Sequence, residues 1–175
     1  MAGSSQRVTA LRALNSQPLS FEENGGQGDS DIKFTSRGKS YTLFLTRDGA
    51  VLSLQESALG SGERELGKKE SRASNSLLRM KFDNANPHAD ITGQDPLPGK
   101  TYYADLKTLG PLKGNARFRR VMYSQIYPGI DAAYYGNGRQ LEFDFVVAAG
   151  ADANQIQLSF DGASQVSLDE TGTFW

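Results

Sequence analysis

The dipeptide Asn137-Gly138 stands between two runs of alternating polarity, Ile-Asp-Ala-Ala-Tyr-Tyr at 130–135 and Gln-Leu-Glu-Phe-Asp-Phe-Val-Val at 140–147. A two-residue type I′ turn needs positive φ at both central positions, and Asn followed by Gly accepts that at the least steric cost. The segment therefore reads as a β-hairpin. With Asn137-Gly138 as the turn, Tyr134 is expected opposite Leu141, Ala132 opposite Phe143 and Ile130 opposite Phe145, which collects the apolar side chains on one face. Such a face has to be buried against a second layer of secondary structure.

The same logic applies earlier in the chain. Asp48-Gly49 separates Tyr-Thr-Leu-Phe-Leu-Thr at 41–46 from Ala-Val-Leu-Ser-Leu at 50–54. With Asp48-Gly49 as the turn, Leu45 is expected opposite Leu52 and Leu43 opposite Leu54. Further strands are expected from Ile32 onward, over 77–82 with Leu78, Met80 and Phe82 on one side, over 101–104, and over 155–160 and 165–168 around Asp161-Gly162. Residues 22–31 and 83–95 read as polar turns and loops, and 96–99 (Pro-Leu-Pro-Gly) as punctuation. A short amphipathic helix at 7–14 is the longest helical pattern. Short strands spaced by Gly, Asn, Asp and Pro turns predict an all-β fold, an antiparallel β-sandwich built from hairpins.

A length of 175 residues suits one domain. The expected organisation is a flexible lead over 1–20 and a single β-sandwich domain over 21–175, interrupted by a mobile polar loop over 55–76. Thr-Gly-Thr-Phe-Trp at 171–175 reads as a turn followed by the opening of another strand. The domain is thus expected to continue past 175, leaving its C-terminal side incomplete with an unpaired sheet edge or an exposed apolar patch.

Composition narrows the chemistry. With no Cys and one His, disulfides and thiolate metal sites are out, and a His-based site at His88 is disfavoured. Lys and Arg number 19 against 20 Asp and Glu, which speaks against a basic nucleic-acid binder. The local basic run Lys113, Arg117, Arg119 and Arg120 would split between two faces of a strand, Arg117 and Arg119 against Phe118 and Arg120, and suits a solvated or carboxylate-paired edge. The first twenty residues hold no apolar run of the length a secretory signal or a membrane span requires. Neither nucleic acid nor membrane insertion is therefore expected. No Gly-x-Ser-x-Gly elbow, phosphate loop or dinucleotide fingerprint is present, so no enzyme activity is expected and no catalytic residue is assigned.

Several phrases occur together: Pro-Leu-Ser-Phe-Glu-Glu-Asn-Gly-Gly-Gln at 18–27, Tyr-Thr-Leu-Phe-Leu-Thr at 41–46, Tyr-Pro-Gly-Ile-Asp at 127–131, Tyr-Tyr-Gly at 134–136 and the strand at 140–147. Gly-Ala-Asp at 150–152 and Ile-Gln-Leu-Ser-Phe-Asp-Gly-Ala at 156–163 follow them. In combination, over about 18–172, the chain resembles the uncharacterised β-rich domain that precedes SBBP-type β-propeller repeats in secreted or surface proteins of bacteria. It departs from that pattern at Ala153, where a second proline is usual, at Thr101-Tyr102-Tyr103, where an Asn-Tyr-Phe phrase is usual, and over 107–114, which lacks a Trp. The resemblance implies a secreted or cell-surface location, a non-catalytic structural or adhesion module, and downstream β-propeller repeats as partners. It implies no ligand and no active-site residue.

Two sets of residues stand out as candidate binding sites. On the polar face of the second hairpin the expected register places Asp131 opposite Asp144, with Glu142 beside them, and like charges directly opposite destabilise a sheet. Three accounts compete: a cation such as Arg119 or Arg120 lies over the pair, a Ca²⁺ ion is held by Asp131, Asp144 and Glu142, or two carboxylates form a glycosidase-like couple. The tyrosines, chiefly Tyr134, Tyr135, Tyr102 and Tyr103, either fill the core or offer ring faces to a glycan. Asp29-Ser30-Asp31 and Asp83-Asn84-Ala85-Asn86 carry oxygen ligands but lack the spacing of a calcium loop and read as turns. The leading expectation is a structural or adhesion module that meets a glycan or a surface protein without a cofactor. The alternative is a carbohydrate- or calcium-dependent binding module.

Overall fold

The computed structural model describes residues 19–26, 28–55, 75–103, 114–138 and 140–163. In chain order the strands are β1 (Phe21–Glu23), β2 (Ile32–Arg37), β3 (Tyr41–Thr46), β4 (Gly49–Gln55), β5 (Asn75–Phe82), β6 (Asp90–Pro96), β7 (Thr101–Tyr102), β8 (Gly114–Asn115), β9 (Arg117–Tyr127), β10 (Ile130–Asn137), β11 (Gln140–Val147) and β12 (Leu158–Asp161). One turn of 3-10 helix, Ala153–Gln155, precedes β12, capped by the Asp152 side chain. The fold is all-β and its pairings are antiparallel. Among the described residues no helix is long and apolar enough to cross a membrane.

Ten strands form one continuous sheet in the order β11-β10-β9-β1-β2-β3-β4-β5-β12, with β6 added on β9, while β7 and β8 make a separate ribbon. The long strand β9 is the corner. Along one edge it pairs first with β1, at Arg117 and Phe118, and then with β10, from Arg120 to Tyr127. Phe118 and Tyr123 each have a second partner in β6, Pro96 and Ile91, so β6 lies along the opposite edge. Two arms thus leave β9 side by side and curl over one another. One leaf is β6-β9-β10-β11 and the other is β1-β2-β3-β4-β5-β12, which gives the sandwich-like closure expected of hairpins with one apolar face.

The core lies between these leaves. Phe82 on β5 meets Tyr123 on β9 edge to face at 5.6 Å and Phe145 on β11 at 5.9 Å. Phe34 on β2 meets Phe118 at 5.9 Å. The Tyr123 hydroxyl donates to the carbonyls of Thr46 at 2.8 Å and Gly49 at 3.2 Å, and Tyr127 donates to those of Asp83 and Gln157 at 3.0 Å each. Both leaves are therefore joined by packed rings and by phenol-to-backbone hydrogen bonds. Phe118 and Val121 both belong to the core although three positions apart, so the inward side of β9 changes phase between them. Arg120 faces outward as a result, and the sequence expectation that Phe118 and Arg120 share a side fails at this bend.

Both hairpins form, each with its register displaced by two residues. Leu45 pairs with Ala50 and Leu43 with Leu52, so Arg47-Asp48 rather than Asp48-Gly49 make the turn. Gly49 is required by packing instead: a Cβ there would overlap the carbonyl oxygen of Met80 on β5. In the second hairpin Asn137 pairs with Gln140, Tyr134 with Phe143, Ala132 with Phe145 and Ile130 with Val147, with Gly138 at φ +63°. A two-residue shift leaves every side chain on its expected face, because the strand repeat is two. It does undo the expected charge pairing, since Asp131 lies opposite Val146 and Asp144 opposite Ala133.

Other differences have local causes. Glu22 and Glu23, read as loop, belong to β1, and Asp90–Pro96, read as turn, is strand β6. Residues 155–157 precede β12 rather than opening it. Leu19, read as part of the lead, is buried, and a Cβ at Gly136 would come within 2.6 Å of its Cβ. Leu78, Met80 and Phe82 do point one way, and Ser76 is already strand. The expected helix at 7–14, the bulk of the loop at 55–76, the strand at 165–168 and the C-terminal Phe174 and Trp175 lie outside the described residues.

Candidate functional site

On β10 the alternation that buries Tyr134 turns Tyr135 outward. Register then builds a row across four strands: Gln94 on β6, Arg120 on β9, Tyr135 on β10 and Glu142 on β11. Asp144 follows two positions along β11. The Tyr135 hydroxyl donates to Asp144 Oδ2 at 2.6 Å, and the Asn137 amide donates to Glu142 Oε1 at 3.0 Å. The Arg120 guanidinium carbon sits 5.4 Å from the Tyr135 ring centroid, within cation–π range. Arg120 Nε is buried and has no hydrogen-bond partner.

This arrangement raises the Tyr135 pKa to about 12. The hydrogen bond to Asp144 is the largest cause, followed by partial desolvation and the negative charges of Asp144 and Glu142. A phenol donating to a carboxylate resists losing its proton, because ionisation would set two anions against each other. At neutral pH the face therefore offers a neutral phenol, one guanidinium and two carboxylates, an arrangement able to hydrogen bond and stack but carrying no activated nucleophile.

The structure brings Tyr135, Asp144 and Glu142 together and separates the remaining candidates. Asp131 Oδ1 accepts from the Gln125 backbone N–H at 2.7 Å. Gln125 has φ 54°, and the register between β9 and β10 shifts beside it, so Asp131 caps a β-bulge. Tyr134 is 1% exposed, stacked on Phe143 at 5.5 Å between the leaves, which removes it as a ligand platform. Among the described residues no group of three or more His, Cys, Asp or Glu is placed to hold a metal ion.

Tyr102 and Tyr103 belong to a different neighbourhood. Tyr103 donates to Glu22 Oε2 at 2.9 Å, Arg37 reaches the same oxygen at 3.4 Å and lies 5.7 Å from the Tyr103 ring, and Asn115 Nδ2 donates to Glu22 Oε1 at 3.0 Å. Desolvation, then the Glu22 hydrogen bond, raises the Tyr103 pKa. Tyr102 is exposed. The sequence reading missed Glu22 and Asn115 here, and Arg120 as the partner of Tyr135. Arg120 meets Tyr135 through cross-strand register, and Glu22 meets Tyr103 and Asn115 through side-chain hydrogen bonds between residues far apart in the chain.

The turn candidates behave as turns. Asp29 Oδ1 accepts from Asp31 N at 3.0 Å, Asn84 has φ 55°, and Asn86 Oδ1 accepts from His88 N at 2.9 Å. In the basic run, Arg117 donates to Ser20 Oγ at 3.1 Å and Arg119 is exposed, while Lys113 lies outside the described residues.

Residues 21–174 match the family model described as a domain of unknown function, DUF7948. No curated protein and no solved structure matches the chain.

Proposed function

The chain belongs to the DUF7948 family of domains of unknown function, and from that premise we propose that it is a non-catalytic structural and adhesion module of a secreted or surface protein, adjoining β-propeller repeats. The supporting observation is the use made of the polar face of β9–β11. Its carboxylates take hydrogen bonds from Tyr135 and Asn137 within the same leaf, on an outward sheet face rather than across a cleft where two acids could flank a bond. Such a face recognises by shape and hydrogen bonding. The resemblance of the spaced phrases supplies the location and the neighbouring repeats.

Surface proteolysis of intact cells expressing the full-length protein tests this reading. The module is expected to be cleaved without lysis, and its deletion is expected to reduce cell adhesion. Protection until lysis would overturn it.

A carbohydrate- or calcium-dependent module is the second reading, favoured by Tyr135 standing outward between Arg120 and two carboxylates. A glycan array run with and without EDTA separates the two. Signal abolished by EDTA supports Ca²⁺ dependence. Signal resistant to EDTA but lost in Tyr135→Ala supports direct sugar binding, and a blank array rejects this second reading.

A further inference from the structure

Asparagine followed by glycine occurs twice in the chain, at Asn24-Gly25 and Asn137-Gly138. Asparagine is among the thermolabile residues, and a following glycine has no Cβ to keep its backbone nitrogen away from the carboxamide. That nitrogen can attack the Asn Cγ wherever the side chain is free to turn onto it. The two dipeptides differ in this freedom.

The Asn24 carboxamide is the hub of the loop between β1 and β2. Its Nδ2 donates to the carbonyls of Asp29 and Ile32 at 2.8 Å each, and its Oδ1 accepts from the backbone N–H of Gly26 at 3.0 Å and of Gly28 at 3.4 Å. The Asn24 backbone N–H is bonded in turn to the Lys33 carbonyl at 2.9 Å. Turning the carboxamide toward Gly25 therefore dismantles the loop. Asn137, by contrast, is exposed at the end of β10, where its pairing with Gln140 closes the hairpin. Its Nδ2 reaches Glu142 Oε1 at 3.0 Å on the solvent side of the sheet. The space beside Gly138 is open, since a Cβ there would meet nothing within 4 Å. An exposed hairpin end opens locally at far lower cost than the fold as a whole.

We propose that Asn137 is a site of spontaneous deamidation, and that Asn24, with the same dipeptide, is protected by its loop. The Gly138 nitrogen forms a bond to Asn137 Cγ, its proton passes through water to Nδ2, the Cγ–Nδ2 bond breaks, and ammonia leaves a cyclic imide behind. Water then opens the imide. Cleavage of the Cγ–N bond gives aspartate, and cleavage at the backbone carbonyl gives isoaspartate, whose main chain runs through Cβ and Cγ. One water is consumed and one ammonia released, with no oxidant, reductant or cofactor. Either product withdraws the donor from Glu142 and adds a carboxylate to the face that holds Tyr135, Glu142 and Asp144. The polar face of β9–β11 thus becomes more acidic as the molecule ages.

Peptide mapping by mass spectrometry of the full chain, kept in mildly alkaline buffer with and without guanidinium chloride, tests the proposal. In denaturant both dipeptides are expected to convert at comparable rates. In the folded chain Asn137 is expected to convert at least about tenfold faster than Asn24, which must first give up its hydrogen bonds. Asn137→Asp, which reproduces one product, is expected to melt at lower temperature than the parent, and the difference is expected to shrink as salt is raised, because the new carboxylate lies beside Glu142. Folded Asn24 converting as fast as Asn137, or no conversion of Asn137 in the folded chain, would overturn the proposal. An Asn137→Asp variant as stable as the parent at low salt would overturn the effect on the face.

Discussion

Tyr134 and Tyr135 are consecutive on β10, and the sheet sends them into opposite worlds. Inside, between the leaves, Tyr134 and Tyr123 pack ring against ring at 5.7 Å, and burial pushes both phenols up in pKa. Outside, Tyr135 is held by a carboxylate and a guanidinium on one leaf. The inner rings tie the leaves together and are withdrawn from chemistry. The outer ring contributes little to holding the leaves together and remains available. Sequence position alone does not distinguish the two roles, whereas strand parity does.

The sharpest way to break this contrast is truncation. Tyr123→Ala removes the ring that Phe82 and Tyr134 both contact and opens a cavity at the seam, with an expected loss of about 3–5 kcal/mol by chemical denaturation. Tyr135→Ala is expected to stay within about 0.5 kcal/mol of the parent. Similar losses for the two would mean that the outer ring is part of the core.

Removing only the hydroxyls separates the inner tyrosines from each other. Tyr123 donates to backbone carbonyls of Thr46 and Gly49, so Tyr123→Phe is expected to cost about 1–2 kcal/mol. The Tyr134 hydroxyl is buried without a partner. Tyr134→Phe is accordingly expected to be neutral or stabilising by up to about 1 kcal/mol, since it relieves an unsatisfied polar group. Thermal melts of both variants decide it, and a clear loss in Tyr134→Phe would reveal an unrecognised partner for that oxygen.

Asp131 offers a smaller contrast on the outer side. As cap of the bulge at Gln125 it is expected to lose about 1 kcal/mol in Asp131→Ala, while Asp144→Asn, on the exposed face, changes stability less. Addition of Ca²⁺ raising the melting temperature of the parent but not of Asp144→Asn would restore the metal reading of this face.

How much of this was legible beforehand follows from what sets each feature. The faces of both hairpins were readable because side-chain parity needs only the alternation Leu43, Leu45 or Ala132, Tyr134. The registers were not: in the first hairpin Gly49 has the signature of a turn residue while its real constraint is the β5 backbone against it, and in the second Asn137 pairs with Gln140 instead of entering the turn. Strands β1 and β6 escaped notice since Phe-Glu-Glu and Asp-Ile-Thr-Gly-Gln-Asp-Pro carry one apolar residue besides Pro96. Gly93 in the second is dictated by packing, as a Cβ there would overlap the Phe118 ring. At the polar face Tyr135, Glu142 and Asp144 were visible as residue types, but their grouping with Arg120 depends on the phase change in β9 and has no local signature.

The last contrast is one of titration. Tyr135 is raised from its ordinary value of 10.0 to about 12 chiefly by its bond to Asp144. A group whose folded pKa lies above its unfolded one contributes stability that is complete below the unfolded value and lost as pH rises through the folded value. The Tyr135–Asp144 bond thus supports the fold fully below about pH 10 and fades toward pH 12. Tyr123 and Tyr134 must also ionise on unfolding and weaken the fold in alkali, so stability alone cannot isolate the outer residue. Ring-carbon NMR of labelled tyrosine can: the Tyr135 resonance is expected to titrate near 12, and in Asp144→Asn at lower pH, because a neutral amide no longer opposes the phenolate. An unchanged midpoint in that variant would place the cause elsewhere on the face, with Glu142 as the remaining charge in the same row.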